Sequence, residues 1–267
     1  MVKNFTRLPG FFGRIRQLIF GSNFSNPALS LPLFLRHLTP TGRCVPRFVR
    51  YRTDAIMSLK ISNDHTEVTK QVLPMKKICV YCGSSDKIPQ VYLDAAFMMG
   101  QTLAKQGITL VYGAGSTGTM GAVAEGALQA GGEVWGVIPK MFDTPQLAYK
   151  GLTRYEVVDN MHIRKARLVE ISDGFIALPG GFGTFEELFE IITWAQIGLH
   201  RKPIGLLNTM GYYEPLLAMV DHANLQGFIY SEHRQLFTSA DTPEKLIEAL
   251  CNHRYPAGLE RWVDRDG

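Results

Sequence analysis

Cysteine is scarce in this sequence of 267 residues. Its four cysteines, Cys44, Cys79, Cys82 and Cys251, are too few and too irregularly spaced for a disulfide framework, which fits a reducing compartment. Cys79 and Cys82 have the spacing of a redox or metal pair. However, Cys79 lies in a run that predicts a buried strand, and no second pair completes a zinc site. The sequence therefore predicts no metal.

Long apolar runs are also absent. No stretch approaches the roughly 20 consecutive apolar residues that a transmembrane helix needs, so we expect no membrane partner. With 46% hydrophobic residues, the chain is long enough to bury one sizeable core. The expected class is a soluble globular protein.

Acidic residues are scarce in the N-terminal segment. Residues 1–53 contain nine Lys or Arg and no Asp or Glu, and residues 1–74 hold 11 basic against 3 acidic residues. Residues 75–267 hold 17 basic against 21 acidic residues, so the net charge of +4 belongs to the N-terminal segment and does not indicate a nucleic-acid partner. This segment is predicted to be an unstructured leader. It is either a transit peptide that directs the protein to an organelle, or non-native sequence before a start at Met57 or Met75, which leaves a cytoplasmic protein.

From residue 76 onward, short β-branched runs alternate with amphipathic stretches of helical length. This order predicts an α/β fold: a single doubly wound, Rossmann-like parallel sheet with helices on both faces, over residues 75–255. Residues 256–267 are predicted to be a C-terminal tail. The predicted strands are 77–81, 108–112, 133–138, 155–158, 174–178, 203–207 and 235–238. The predicted helices are 90–106, 119–130, 161–171, 185–198, 213–226 and 243–251.

Glycine and small hydroxyl residues follow three of these strands. The loops are 83–85, 113–121 and 179–184, and they would meet at the carboxyl edge of the sheet, where ligands bind in such folds. Glycines let backbone N–H groups approach an anion, and the following helix presents its positive end. We therefore predict a phosphate site, with the following substrate-binding residues in the first two loops: Gly83, Ser84, Gly113, Gly115 and Ser116.

The second glycine loop matches the GxGxxG pattern between a strand and a helix, which suggests a dinucleotide site. That fingerprint usually follows the first strand and requires an acidic residue at the end of the next one. Here the next strand ends in Val137, Ile138 and Pro139, and Glu133 stands at its start. A phosphate loop or a structural turn is the better interpretation.

Glu187 follows the third loop and has two interpretations. Thr184 can cap the helix, and Glu187, three residues later, can complete a capping box. Alternatively, Glu187 is functional, because three glycines precede it and it lies one helical turn from the predicted phosphate. Farther upstream, Arg164 is a cation near a helix start, where the helix dipole favours an anion and a bound anionic ligand would account for it. His162 is interpreted as a packing or orienting residue, with a catalytic role as the alternative.

These residues resemble a known family, the LONELY GUY proteins, which are cytokinin riboside 5′-monophosphate phosphoribohydrolases formerly described as lysine decarboxylases. The resemblance covers roughly residues 76–250 and centres on the motif PGGxGTxxE at 179–187. It also includes 82–85, the second glycine loop, 161–165, 172–178 and 193–198. Ala114 and Thr119 stand where family members often carry Gly and Leu, and Lys150 lies near a position that is acidic in plant members, which leaves the base preference open.

The resemblance implies a Rossmann-like homodimer that hydrolyses an N6-modified AMP to free base and ribose 5-phosphate, without cofactor or metal. Arg164 and Glu187 match the family's catalytic pair. The positions that match nucleotide contacts are Lys165, Gly180, Gly181, Phe182, Gly183, Thr184, Phe185, Glu186 and Thr193. Two alternatives stay open from the sequence: an AMP nucleosidase that needs no N6 substituent, and a nucleotide-binding protein without turnover.

Overall fold

The computed structural model describes residues 75–259. Our predictions for the leader at 1–74 and for most of the C-terminal tail fall outside the described residues. Of the predicted tail, residues 256–259 are described, and the Leu259 side chain is 2% exposed and packs in the hydrophobic core. The packed domain therefore reaches beyond residue 255.

Seven parallel strands and six α-helices alternate along the described chain, as the pattern of β-branched and amphipathic runs indicates, except that β3 and β4 are joined by a segment with only a 3₁₀ turn. The strands are β1 (Lys77–Tyr81), β2 (Thr109–Tyr112), β3 (Val134–Pro139), β4 (Arg154–Val158), β5 (Gly174–Ala177), β6 (Ile204–Leu207) and β7 (Thr238–Ala240). The helices are α1 (Gln90–Lys105), α2 (Gly118–Gln129), α3 (Met161–Ile171), α4 (Phe182–Gln196), α5 (Glu214–Leu225) and α6 (Pro243–Asn252).

The strand order is β4-β3-β2-β1-β5-β6-β7. Strand order reverses at β1, which pairs with β2 on one side and β5 on the other, for example through Ile78 with Leu110 and Ile78 with Gly174. In a doubly wound sheet a ligand binds outside the carboxyl ends of the strands at such a reversal. The loops after β1 and β5 are therefore the first place to look for a site.

Both faces of the sheet are covered, which confirms the predicted fold class. Successive strand residues point to opposite faces, so Ile78 packs in a core with α1, α2 and α6, whereas Cys79 packs in a core with α3, α4 and α5. Both positions are fully buried. Because Cys79 is a strand residue in an apolar core, it behaves as a small hydrophobic side chain.

Two predicted elements differ from the structure by more than one residue at an end. The fourth helix begins at Phe182, three residues before the predicted start, because the backbone already turns into helix within the glycine-rich segment. The last strand is Thr238–Ala240, and residues His233–Gln235 form a 3₁₀ turn instead of the predicted strand start. Within residues 75–259, no helix is both long and apolar enough to cross a membrane.

Candidate active site

A cavity of about 770 Å³ opens at the strand reversal. All three glycine-rich loops contribute to its wall, as predicted from their positions after β1, β2 and β5. The predicted residues that line the cavity are Gly83, Ser84, Gly113, Gly115, Arg164, Gly180, Gly181, Phe182, Gly183, Thr184, Glu186 and Glu187. Loops that lie far apart in sequence thus meet around one volume.

Arg164 and Glu187 form a buried ion pair on the cavity wall. Arg164 Nη1 donates to Glu187 Oε1 over 2.7 Å, and the two side chains are only 7% and 8% exposed. Arg164 Nε also donates to the Val137 carbonyl at 3.2 Å, so β3 fixes the guanidinium from behind. Helices α3 and α4 therefore supply one residue each to a pair whose geometry is set before any ligand binds.

Gly113, at the end of β2, gives the guanidinium its space. A Cβ built at Gly113 would stand 2.0 Å from Nη2 of Arg164, far inside contact distance. Gly113 lines the cavity as predicted, but its absent side chain also has a packing role that the sequence did not indicate.

Burial has the largest effect on the pKa of Glu187. Desolvation raises the pKa of this carboxyl above its ordinary value, while the neighbouring Arg164 guanidinium opposes the shift. A carboxylate whose pKa is raised is a stronger base than an exposed one, because its ionised form is less well solvated. The same burial raises the pKa of the Cys82 thiol well above its ordinary value, so that thiol stays protonated.

The N-terminus of α4 faces the cavity without a cap. Gly181 occupies the N-cap position and no side chain caps the helix. The capping-box interpretation is wrong: Thr184 sits inside the first turn, its buried hydroxyl has no hydrogen-bond partner, and Glu187 binds Arg164. The unpaired N–H groups that begin every helix, together with the helix dipole, would favour an anion at this end.

The second glycine loop is different, because several of its backbone donors already have acceptors within the chain. Asp86 Oδ1 accepts from the Gly118 N–H at 2.7 Å, at the start of α2. Ser116 N–H donates to the Leu147 carbonyl at 2.9 Å, and Met120 N–H donates to the Gly83 carbonyl at 3.1 Å. These bonds fix the shape of the loop where it lines the cavity.

The departures from the family pattern have structural consequences. The Thr119 hydroxyl accepts from the Gly83 N–H at 2.8 Å and ties the first loop to α2. Ala114 takes a φ of 58°, the left-handed conformation that favours glycine. Lys150 donates to Asp143 at 2.6 Å and is absent from the cavity wall.

Several predicted residues lie off this cavity wall. Lys165 binds Glu186 and Glu190 at 2.5 and 2.8 Å, and Thr193 donates to the Phe189 carbonyl at 2.7 Å. Phe185 packs against the core beneath α4. Ser116 donates its hydroxyl to carbonyls of the 146–147 segment. His162 is exposed on α3 and does not line the cavity, so no contact supports its catalytic alternative.

Sequence reasoning missed the apolar and aromatic part of the wall. These residues are Ile88, Pro89, Tyr92, Met120, Ile138, Pro139, Phe142, Leu147, Met161 and Tyr212. Met120 and Met161 lie in segments of the family resemblance, and the others belong to no motif. Their one sequence signal is position, since several follow the carboxyl ends of β1, β3 and β6. The described part of the cavity wall contains no lysine.

Comparisons with known proteins identify the proteins that this chain is similar to. A family model described as "possible lysine decarboxylase" matches residues 120–250. The probable cytokinin riboside 5′-monophosphate phosphoribohydrolase LOGL1 of Oryza sativa is 48% identical over 174 residues, which are 65% of this chain and 78% of that protein. The cytokinin riboside 5′-monophosphate phosphoribohydrolase LOG3 of Arabidopsis thaliana is 46% identical over 197 residues, 72% of this chain and 92% of that protein.

A solved structure supports the fold. The molybdenum cofactor binding protein of Rippkaea orientalis superimposes with a TM-score of 0.51 at 24% identity, over 67% of this chain and 98% of that one. At this identity the likeness concerns the fold alone.

Proposed function

This chain belongs to the family of cytokinin riboside 5′-monophosphate phosphoribohydrolases, and we propose that it hydrolyses the N-glycosidic bond of these nucleotides to release the free base and ribose 5-phosphate. The observation that carries the proposal is the buried Arg164–Glu187 pair beside the uncapped N-terminus of α4. The cavity thus combines a carboxylate with an anion site.

Glu187 carries the chemistry in this proposal. Cleavage of the bond between base and ribose develops positive charge on the sugar, and a fixed carboxylate beside C1′ stabilises that charge. The same carboxylate can accept a proton from the attacking water, and its raised pKa strengthens it as a base. A site for phosphate alone would have no need of this buried acid.

Arg164 keeps that carboxylate in place. Because its guanidinium is held by both Glu187 and the Val137 carbonyl, it orients Glu187 and offsets the burial of its charge. Our sequence interpretation placed a bound anionic ligand beside Arg164. The observed contacts favour alignment of Glu187 as its first role, with Nη2 as the group nearest the Gly113 side of the cavity.

The phosphate is assigned to the first turn of α4. Gly180, Gly181 and Gly183 let the backbone approach the anion closely, and no side chain competes for the helix terminus. Binding energy from the phosphate, far from the reacting bond, then serves to place C1′ against Glu187.

The apolar wall supports a substituted base. Ile138, Phe142, Leu147 and Met120 give the cavity an apolar side where an N6 substituent can be buried. An AMP nucleosidase without this preference is the second candidate. Lysine decarboxylation receives no support, because a pyridoxal phosphate enzyme needs a Schiff-base lysine and the described wall has none.

A single assay tests the proposal. The protein is incubated separately with N6-isopentenyladenosine 5′-monophosphate, the corresponding riboside, AMP and lysine, and the products are separated by chromatography. We expect free base from the modified nucleotide, much less from AMP, and none from the riboside. Equal rates with AMP would favour the nucleosidase, and nucleotide binding without free base would favour the non-catalytic alternative.

We propose a homodimer as the functional state, as the family resemblance implies. Ile163 on α3, Phe189 on α4 and Ile197 directly after α4 are 45%, 39% and 46% exposed, an apolar surface that a second copy would bury. Light scattering should give twice the chain mass. A Phe189→Glu variant should shift that mass toward one chain, and a wild-type monomer at working concentration would rule the dimer out.

A further inference from the structure

A tight turn after β6 carries an aromatic pair toward the cavity. Met210 and Gly211 take φ values of 53° and 71°, and Asn208 Oδ1 accepts from the Tyr213 N–H at 2.7 Å. The Tyr212 ring then packs edge-on against Tyr92 of α1 at 5.8 Å and against Tyr213 at 5.1 Å between centroids. The turn thereby fixes Tyr212 beside the loop that follows β5.

Both tyrosines donate to carbonyls of that loop. The Tyr212 hydroxyl donates to the Gly180 carbonyl at 2.5 Å, and the Tyr213 hydroxyl donates to the Leu178 carbonyl at 2.7 Å. The two bonds differ in the residue that follows the accepting carbonyl and shares its peptide group. Pro179 follows Leu178 and has no N–H, whereas Gly181 follows Gly180 and has one.

Peptide geometry links the Tyr212 bond to the anion site. In a planar trans peptide the C=O and the following N–H point in opposite directions, so the Gly181 N–H points away from the Tyr212 hydroxyl. Gly181 N lies 4.0 Å from the position that a Cβ of Gly83 would occupy, on the cavity side. Among residues 75–259, no hydrogen-bond acceptor faces this N–H.

We propose that Tyr212 is a positioning residue for the phosphate of the nucleotide. By holding the Gly180 carbonyl, its hydroxyl fixes the orientation of the 180–181 peptide and keeps the Gly181 N–H directed at the anion. Without that bond, the 180–181 peptide can rotate and present its carbonyl oxygen to the phosphate. This inference rests on the proposed function, because it takes a nucleoside 5′-monophosphate as the ligand.

The test compares two matched variants of the full chain, Tyr212→Phe and Tyr213→Phe, each of which loses one hydroxyl donated to one carbonyl of the same loop. Calorimetry measures binding of AMP and of adenosine, and melting curves report on folding. For Tyr212→Phe we expect the Kd of AMP to rise roughly three- to tenfold, the loss of one hydrogen bond, with the Kd of adenosine unchanged. The KM for N6-isopentenyladenosine 5′-monophosphate should rise by the same factor while kcat stays within about twofold.

Tyr213→Phe should lower the melting temperature and leave the ratio of the two Kd values at the wild-type level. The proposal is overturned if Tyr212→Phe leaves this ratio unchanged, or if both variants change it alike. A wild-type protein that binds AMP in a Tyr212-dependent way but releases no base would refute the proposed hydrolase and retain this role of Tyr212. Normal turnover together with an unchanged ratio of the two Kd values in Tyr212→Phe would refute this role of Tyr212 and retain the proposed hydrolase.

Discussion

The guanidinium of Arg164 lies against the α-carbon of Gly113, where a Cβ would stand 2.0 Å from Nη2. Gly113 directly follows β2 and Arg164 belongs to α3, so the contact joins two segments that are distant in sequence. The ion pair between Arg164 and Glu187 therefore depends on the absence of a side chain at a third position.

The Gly113→Ala variant should disrupt this arrangement. The added methyl must push Nη2 away, and the buried Arg164 then loses its alignment with Glu187. We expect kcat/KM to fall at least tenfold and the unfolding free energy to fall by about 1–3 kcal/mol, the usual range for overpacking. Steady-state kinetics and urea unfolding measure the two effects. Wild-type kinetics in this variant would show that the pair tolerates displacement.

Glu187→Gln tests the reacting carboxylate while keeping its shape. The amide oxygen can still accept from Arg164 Nη1, so the fold and AMP binding should persist. Because an amide neither stabilises the cationic sugar nor accepts a proton, we expect kcat to drop about 100-fold or more. Single-turnover release of base measures this loss, and calorimetry with AMP serves as the control for binding. Undiminished release would remove Glu187 from the chemistry.

The raised pKa of Glu187 predicts the pH dependence. Activity requires the ionised carboxylate, so kcat/KM should fall on the acid side at a pH above 4.5, the ordinary value for this group. The contribution of Glu187 to folding stability changes with pH in the opposite direction from kcat/KM. Because its pKa is raised in the folded state, this contribution is present below the unfolded-state pKa and is lost as the pH rises through the folded-state pKa. Rates between pH 4 and 8 test the first statement. AMP binding measured over the same range identifies any contribution from ionisation of the substrate phosphate. A fall in kcat/KM that occurs only below pH 4.5 would contradict the raised pKa of Glu187.

Thr184→Val distinguishes the buried hydroxyl from a helix cap. Thr184 is 3% exposed and its hydroxyl has no partner, so the isosteric valine should leave the unfolding free energy unchanged or raise it by about 1 kcal/mol. Loss of a capping hydroxyl would instead lower it by about 1 kcal/mol. Urea unfolding decides between these signs. AMP titration of the same variant shows whether the hydroxyl reaches the nucleotide.

Much of the fold could be predicted because each element has a strong local pattern. The strand 77–81 and the helix 161–171 match the structure at both ends. The start of α4 could not be placed, because Gly183 and Thr184 have low helix propensity and indicate a loop, whereas the structure has helix from Phe182. The prediction of the last strand was wrong for a related reason. Leu236 and Phe237 are buried, which resembles a strand, but they follow a 3₁₀ turn.

The candidate site likewise has one part that could be predicted from local sequence and one part that could not. Arg164 and Glu187 could be named from a motif and a family resemblance, since both depend on residue type and spacing. The space that Gly113 gives to Arg164 and the bond from Tyr212 to Gly180 depend on contacts between segments distant in sequence. No local sequence pattern indicates such contacts, so they could be identified only from the three-dimensional structure.

The junction of β1 and β5 also bears on how the domain folds. The Arg164–Glu187 contact closes 23 residues of chain, whereas the bond from the Lys77 N–H to Asp173 Oδ2, at the start of the junction, closes 96. Loop-closure entropy makes the longer closure less favourable by roughly 1 kcal/mol, so we expect the α3–β5–α4 segment to form first and β1 to dock later. Hydrogen exchange during refolding can follow this order, and simultaneous protection of β1 and α3 would contradict it. On this route the carboxylate would be in position early, and the phosphate end of the cavity would be completed last, when the sheet closes.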